Sequence, residues 1–273
     1  MALPTGPQAT SPVPASLLAG KVVVISGVGP DLGRAIALRS AQAGADLVLA
    51  ARTAARLENV AKEVTALGRR AAPVPTDITD EDSAGRLAEA ALAAFGHVDT
   101  LVNNAFTIPP LAALADTSLD AIRAAFETNV LAALRLTRLF TPALASSGGS
   151  VVMINSAVLR HSRVSYGGYK MAKSALLALA RSLASELGPQ GIRVNSVAPG
   201  WIWGETLKWY FGHLAQQRGV DRQQVYDETA ATTDLRTLPE PDEIADAVVF
   251  LASSMARAVT GQCLDVNSGE YHH

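Results

Sequence analysis

Two side chains four residues apart, Tyr169 and Lys173, carry the plainest chemistry in this chain. They open a helical pattern that follows a short apolar run, Val151–Ile154, and a loop. Positions four apart on a helix share a face, with Cβ atoms roughly 5–6 Å apart. A phenol beside an ammonium is a proton-transfer device. At ~4 Å and an effective dielectric of ~20, one positive charge favours the phenolate by about 4 kcal/mol. That is about three units off a tyrosine pKa near ~10, which brings the phenol towards neutral pH. Ser156, at the end of the apolar run, is placed to hold a carbonyl oxygen against the same phenol. Tyr166 and Lys170 repeat the spacing, but Gly167 and Gly168 follow Tyr166 and put it in the loop before the helix.

The flanking residues single out one pair. Ser156, twelve intervening residues, Y-K-M-A-K from Tyr169 to Lys173, and then R-V-N-S-V-A-P-G ending at Gly200 resemble the short-chain dehydrogenase/reductase family. Only Tyr169 and Lys173 keep the family spacing to both Ser156 and Pro199-Gly200. The resemblance implies that Ser156, Tyr169 and Lys173 are catalytic. Asn129, within Glu127-Thr128-Asn129-Val130, matches the fourth catalytic position, which positions a water linking the lysine to solvent. Pro199 and Gly200 would reach a nicotinamide, whose carboxamide the Ile202 backbone would hold. The implied reaction is reversible hydride transfer between a nicotinamide cofactor and a secondary alcohol or ketone.

The elements that must position this set read as alternating strands and helices. Lys21–Ser26 is a β-branched run of the kind buried in parallel sheets, and a helical pattern from Arg34 to Ala43 stops at Gly44. Between them, Gly27, Gly29, Asp31, Leu32 and Gly33 form a glycine turn in the strand–turn–helix context that binds pyrophosphate. The family usually has glycine where Asp31 stands. Its carboxylate either caps the helix N-terminus or faces solvent, or it repels the pyrophosphate and weakens cofactor affinity. The second strand, Asp46–Ala51, ends without the acidic residue that selects NAD(H). Arg52 follows, and a guanidinium can pair with a 2′-phosphate, so NADP(H) is expected and NAD(H) is the alternative. Asp77 and Ile78, after a strand that two prolines mark as an edge, would flank the adenine. Asn103 and Ala105 close the fourth strand, and Phe106 stands where the family has glycine and would line the pocket mouth. A helix is expected from about Ser118 to Ala145, carrying Asn129.

From Trp203 to about Leu238 aromatic residues gather in a chain that is only 5% aromatic. Trp201, Trp203, Trp209 and Tyr210, with Phe106 and Ser156, are the candidate substrate contacts, and residues 203–238 are expected to form a lid over a bulky or apolar substrate. The family's threonine four residues after Gly200 is replaced by Gly204, leaving Thr206 to supply the carboxamide contact through a longer turn. With 273 residues, 49% of them hydrophobic, one doubly wound α/β domain is expected over 17–273. By resemblance this is a Rossmann fold with a seven-stranded parallel sheet in the order 3-2-1-4-5-6-7. A Pro/Ala-rich tail over 1–16 reads as disordered. A net charge of −2 gives no footprint for nucleic acid, no apolar run reaches ~18 residues, and a single cysteine excludes an internal disulfide and fits a reducing cytosol. No metal role is assigned to any residue. The helix bearing Asn129 and the Tyr169 helix form a dimer face in the family, so a homodimer or homotetramer is expected. The rival reading is a cofactor-degenerate scaffold that acts as a binding or regulatory protein.

Overall fold

The computed structural model describes residues 13–272. The expected tail therefore lies largely outside the described residues, as does His273. Seven strands, β1 (Val22–Ser26), β2 (Asp46–Ala51), β3 (Ala71–Pro75), β4 (Thr100–Asn103), β5 (Ser150–Ile154), β6 (Arg193–Pro199) and β7 (Cys263–Val266), form one parallel sheet. Its order is β3-β2-β1-β4-β5-β6-β7. Pro73 and Pro75 lie on β3, which pairs only with β2, an edge where missing N–H donors are tolerated. Cys263, the single cysteine, is half-buried on the opposite edge strand, and burial pushes its thiol up to about 11.

Alternation along the strands divides the core. Val23 and Ile25 of β1 and Leu47 and Leu49 of β2 face one layer, while Val22, Val24, Val48 and Ala50 face the other. The first layer holds α1 (Leu32–Gln42), α2 (Ala54–Ala66) and α9 (Pro241–Ala252), and the second holds α3 (Glu81–Phe95), α5 (Ala132–Ser147) and α6 (Gly167–Leu187). Two apolar faces per strand explain why these segments read as continuous hydrophobic runs. α4 (Leu119–Phe126) precedes α5, and α7 (Glu205–Arg218) and α8 (Arg222–Ala230) lie in the segment expected to be a lid. These two helices share a small core of their own around Phe211, Val225 and Leu238.

The single helix expected over Ser118–Ala145 is interrupted. A π turn, Glu127–Leu131, separates α4 from α5 and contains Asn129. Such single-turn insertions widen the helix locally and cluster at functional sites. In the sheet, Ser26 pairs with Ala50 of β2 and Asn103 of β4, so the carboxyl ends of the central strands lie side by side. That is where the strand order reverses, the crevice in which open α/β sheets place ligands.

Candidate active site

β5 delivers Ser156. After Ile154 the chain stays extended, with Asn155 N donating to Val197 O at 2.7 Å. Ser156 then caps a short 3₁₀ turn, its Oγ accepting from Val158 N at 3.2 Å. Tyr166 occupies the N-cap of α6, and Gly167 and Gly168 let the helix start approach its neighbours. A Cβ at Gly167 would meet Leu114 Cγ at 2.6 Å, and one at Gly168 would meet Ile122 Cδ1 at 2.7 Å. One turn in, Tyr169 and Lys173 are both buried, with residue exposures of 9% and 2%.

The two repeats of the Tyr-Lys spacing separate cleanly. Lys170 Nζ donates to His161 O at 2.5 Å and Ser162 Oγ at 2.9 Å, and Tyr166 packs at right angles to the His161 ring. Lys173 Nζ donates to Ile154 O at 2.8 Å and lies 5.7 Å from the ring centroids of both Tyr169 and Phe106. No carboxylate pairs with Lys173 among the described residues.

Burial sets the ionisation of this pair, against the sequence expectation. Loss of water pushes the Tyr169 phenol up to about 12, and a hydrogen bond with Ser156 acts in the opposite direction. Loss of water also pulls the Lys173 ammonium down to about 7. The ammonium therefore does not bring the phenol towards neutrality in the free protein. Spacing put both groups on one face, but it could not report that both are dehydrated, and desolvation disfavours each charged form.

Asn129 is buried in the π turn, and its Nδ2 donates to Thr107 O and Ala125 O, both at 2.8 Å. Among the described residues its Oδ1 has no hydrogen-bond partner, and neither Oδ1 nor Nδ2 of Asn155 has one. Buried amides left unpaired by protein are where internal hydrogen-bonding ligands settle.

The glycine turn is shaped by chain packing. Gly27 has φ 79°, and a Cβ there would meet Ala105 Cα at 2.4 Å; one at Gly33 would meet Gly27 O at 2.4 Å. Gly29 is uncrowded, the atom nearest to an added Cβ being Gly27 O at 3.9 Å. Asn104 Nδ2 braces the turn by donating to Gly27 O at 2.7 Å. Leu32, the first residue of α1, is buried. Asp31 sits at the N-cap of α1, but its side chain makes no capping bond there. Its carboxylate accepts instead from Glu205 N at 2.8 Å, Thr206 N at 3.1 Å and the Thr206 hydroxyl. Asp31 thus caps α7, a helix 174 residues further on, rather than its own helix. Thr206, expected to reach a carboxamide, gives its hydroxyl to Asp31.

Next to the turn lies a cavity of about 400 Å³ whose lining includes Gly27, Gly29, Arg52, Asp77, Ala105 and Phe106, with Ile78 beside Asp77. Arg56 joins Arg52 on its wall, a residue that sequence reasoning missed although it lies four positions on, in the first turn of α2. Asp77 is held below the usual carboxylate range, first by hydrogen bonds from Thr79, with Arg52 adding its charge. Asn103 turns its side chain into the core, where Nδ2 lies 3.3 Å from Met153 Sδ.

The uncrowded Gly29, the two guanidiniums lining the cavity and a Lys173 ammonium without a carboxylate partner among the described residues fit the charge and shape of an adenine dinucleotide. After β6, a Cβ on Gly200 would meet Glu270 Oε2 at 2.7 Å and Asn267 Cβ at 2.9 Å, so the C-terminal segment demands the glycine after Pro199. Ile202 O accepts from Gly204 N at 2.7 Å. The aromatic residues expected to line the substrate space divide. Trp201 and Trp203 pack on Phe211 at 6.1 and 5.6 Å, and Trp203 also packs on Tyr226 at 4.6 Å, against the small core that α7 and α8 share. Trp209 is 72% exposed and stacks on His213, while Tyr210 is 44% exposed. Among the described residues no His, Cys, Asp and Glu side chains gather to hold a metal, and no helix is long and apolar enough to cross a membrane.

A family model described as Enoyl-(Acyl carrier protein) reductase matches residues 27–271. The chain belongs to the short-chain dehydrogenase/reductase family. An uncharacterized oxidoreductase of Mycobacterium tuberculosis (strain CDC 1551 / Oshkosh) is 39% identical over 251 residues, covering 91% of each chain. The 7alpha-hydroxysteroid dehydrogenase of Escherichia coli (strain K12) is 34% identical over 253 residues, 92% of this chain and 94% of its own. A solved 7α-hydroxysteroid dehydrogenase complexed with NADH and 7-oxo glycochenodeoxycholic acid superposes with a TM-score of 0.84 at 33% identity, covering 93% and 96% of the two chains. The L-sorbose reductase of Gluconobacter frateurii, complexed with NADPH and L-sorbose, superposes with a TM-score of 0.88 at 28% identity, covering 94% and 98%. This short-chain dehydrogenase/reductase is therefore an oxidoreductase that acts on CH–OH groups with a nicotinamide cofactor. The relatives span steroid and sugar substrates and both NADH and NADPH, so family membership leaves substrate and cofactor to the site itself.

Proposed function

We propose that this enzyme interconverts a secondary alcohol and a ketone of a bulky or apolar substrate, using NADP(H), with Tyr169 as the general acid and base. The observation that carries this reading is the Ser156–Tyr169–Lys173 cluster, with Tyr169 and Lys173 buried and Ser156 half-buried, which lies at the carboxyl end of the sheet and, among the described residues, has no carboxylate to neutralise its ammonium. The cofactor, when bound, supplies or accepts the hydride. In reduction, Tyr169 donates its phenolic proton to the carbonyl oxygen, and a phenol held up at about 12 is fully protonated at neutral pH. Ser156 shares a hydrogen bond with that phenol, so it orients the same oxygen and offsets the negative charge that develops there. Lys173 keeps donors free to hold ribose hydroxyls and to return a proton to Tyr169. Asn129, with its Oδ1 unpaired, completes the route to solvent.

Arg52 and Arg56, which both line the cavity, support NADP(H) over NAD(H), because guanidiniums pair well with a 2′-phosphate. The exposed Leu119, Leu131, Leu139 and Met171 on α4 to α6 support the homo-oligomer, while Leu176 and Leu183 belong to the core. A small-molecule substrate, a cytoplasmic location and a single domain whose 203–238 segment is the lid complete the reading. The test is Tyr169→Phe beside Tyr166→Phe, assayed with NADPH on a panel of bulky ketones. Tyr169→Phe should lose on the order of 10²–10⁴ in kcat, while Tyr166→Phe keeps turnover within a few-fold. The opposite pattern would transfer the role to Tyr166.

A further inference from the structure

Two departures from the family pattern, Asp31 in the glycine turn and Gly204 before α7, touch each other across 173 residues of sequence. The Asp31 carboxylate accepts three hydrogen bonds from the first residues of α7, and a Cβ on residue 204 would lie 2.7 Å from Asp31 Cγ and Oδ1. An aspartate at 31 thus requires a glycine at 204. A helix N-terminus leaves backbone donors unsatisfied and carries partial positive charge, and an acidic side chain answers both. Gly204 itself brings no capping side chain to α7. The cap comes from the glycine turn.

We propose that Asp31 is a positioning residue that latches the lid onto the cofactor turn, docking α7 before any cofactor arrives. This rests on reading residues 203–238 as the lid over the cofactor and substrate. Asp31 belongs to the turn facing the pyrophosphate and α7 leads into the lid core, so the latch joins the two walls that a bound dinucleotide would lie between. Three donors also spend the carboxylate's charge on α7, which explains how an acidic residue is tolerated in a phosphate-binding turn.

The latch and simple repulsion predict opposite signs. A carboxylate that merely repels pyrophosphate would, on removal, slow NADPH release. Loss of a latch speeds it. The experiment measures amide exchange of residues 205–211 in the cofactor-free protein and NADPH release by stopped-flow fluorescence, in wild type, Asp31→Gly, Asp31→Asn, Gly204→Ala and the Asp31→Gly/Gly204→Ala double variant. Asp31→Gly should raise exchange of these amides about tenfold and release NADPH faster by a similar factor, while changing kcat less than KM for the cofactor. Asp31→Asn keeps one acceptor and should fall between it and wild type. Gly204→Ala should loosen the lid alone but add nothing in the Asp31→Gly background, where its clash partner is gone.

Unchanged exchange in both Asp31 variants would overturn the latch itself. Raised exchange with unchanged or slower NADPH release would leave the hydrogen bonds standing and overturn the lid's role over the cofactor. Additive effects in the double variant would overturn the coupling of the two positions.

Discussion

Replacing Lys173 with methionine should stabilise the cofactor-free protein while removing its activity. The ammonium is buried and its pKa falls from 10.5 to about 7 because it has lost water. At 1.36 kcal/mol per unit, holding that charge in the folded state costs about 5 kcal/mol at low pH. Methionine matches the length of the stem but leaves Ile154 O without its donor, an offset of about 1–3 kcal/mol. The net gain expected below pH 7 is about 2–4 kcal/mol, or roughly 5–15 °C in Tm for a chain of this size. The sign follows from linkage. Below pH 7 the lysine is protonated in both states and the folded state carries the full penalty. Between pH 7 and 10.5 the unfolded chain binds the extra proton, so wild-type stability rises with pH. The methionine variant lacks this rise, so its advantage should shrink steadily, reach zero at about pH 8–10, and reverse to a deficit of about 1–3 kcal/mol above pH 10.5, where the neutral lysine still donates to Ile154 O. Tyr169, raised from 10.0 to about 12, removes stability only above pH 10 and leaves the window clear. Urea unfolding of both proteins at pH 6, 8 and 10 measures the effect. A variant no more stable than wild type at pH 6, or an advantage constant from pH 6 to 10, would refute the view that dehydration governs this site.

Two further outcomes test the cofactor and proton chemistry. Replacing Arg52 and Arg56 together with alanine should weaken NADPH binding by about 10–100-fold, the loss of one or two charge-assisted hydrogen bonds. NADH should change by no more than about twofold, and an equal loss of both would remove the guanidiniums from 2′-phosphate recognition. Because Tyr169 is a protonated phenol at neutral pH, alcohol oxidation, which needs the phenolate, should speed up from pH 7 to 10 while ketone reduction does not. Initial rates in both directions decide this, and a flat oxidation profile would contradict the assignment of Tyr169 as base.

Local patterns in the sequence are enough to place most of the scaffold. β-branched runs ending in glycine locate the strands, Pro73 and Pro75 locate the edge, and the spacing from Ser156 to Pro199 chooses Tyr169 over Tyr166. What escapes are outcomes decided by distant contacts or by hydration. The partner of Asp31 is 174 residues away, so its cap was assigned to the nearer helix. The π turn around Asn129 changes helix geometry without changing hydrophobic spacing. Trp203 carries the composition of a substrate wall but spends its ring on Phe211 and Tyr226. The charge balance of Tyr169 and Lys173 depends on how much water each has lost, and a four-residue spacing does not encode that.

Cys263 has a practical consequence for watching the lid. A thiol held at about 11 stays protonated at neutral pH, and only the thiolate reacts quickly with alkylating dyes. As the chain's single cysteine, it leaves a quiet background for labelling. A cysteine introduced on the solvent face of α7, at Trp209 for instance, would take up a fluorophore selectively and report lid motion without first removing the native thiol.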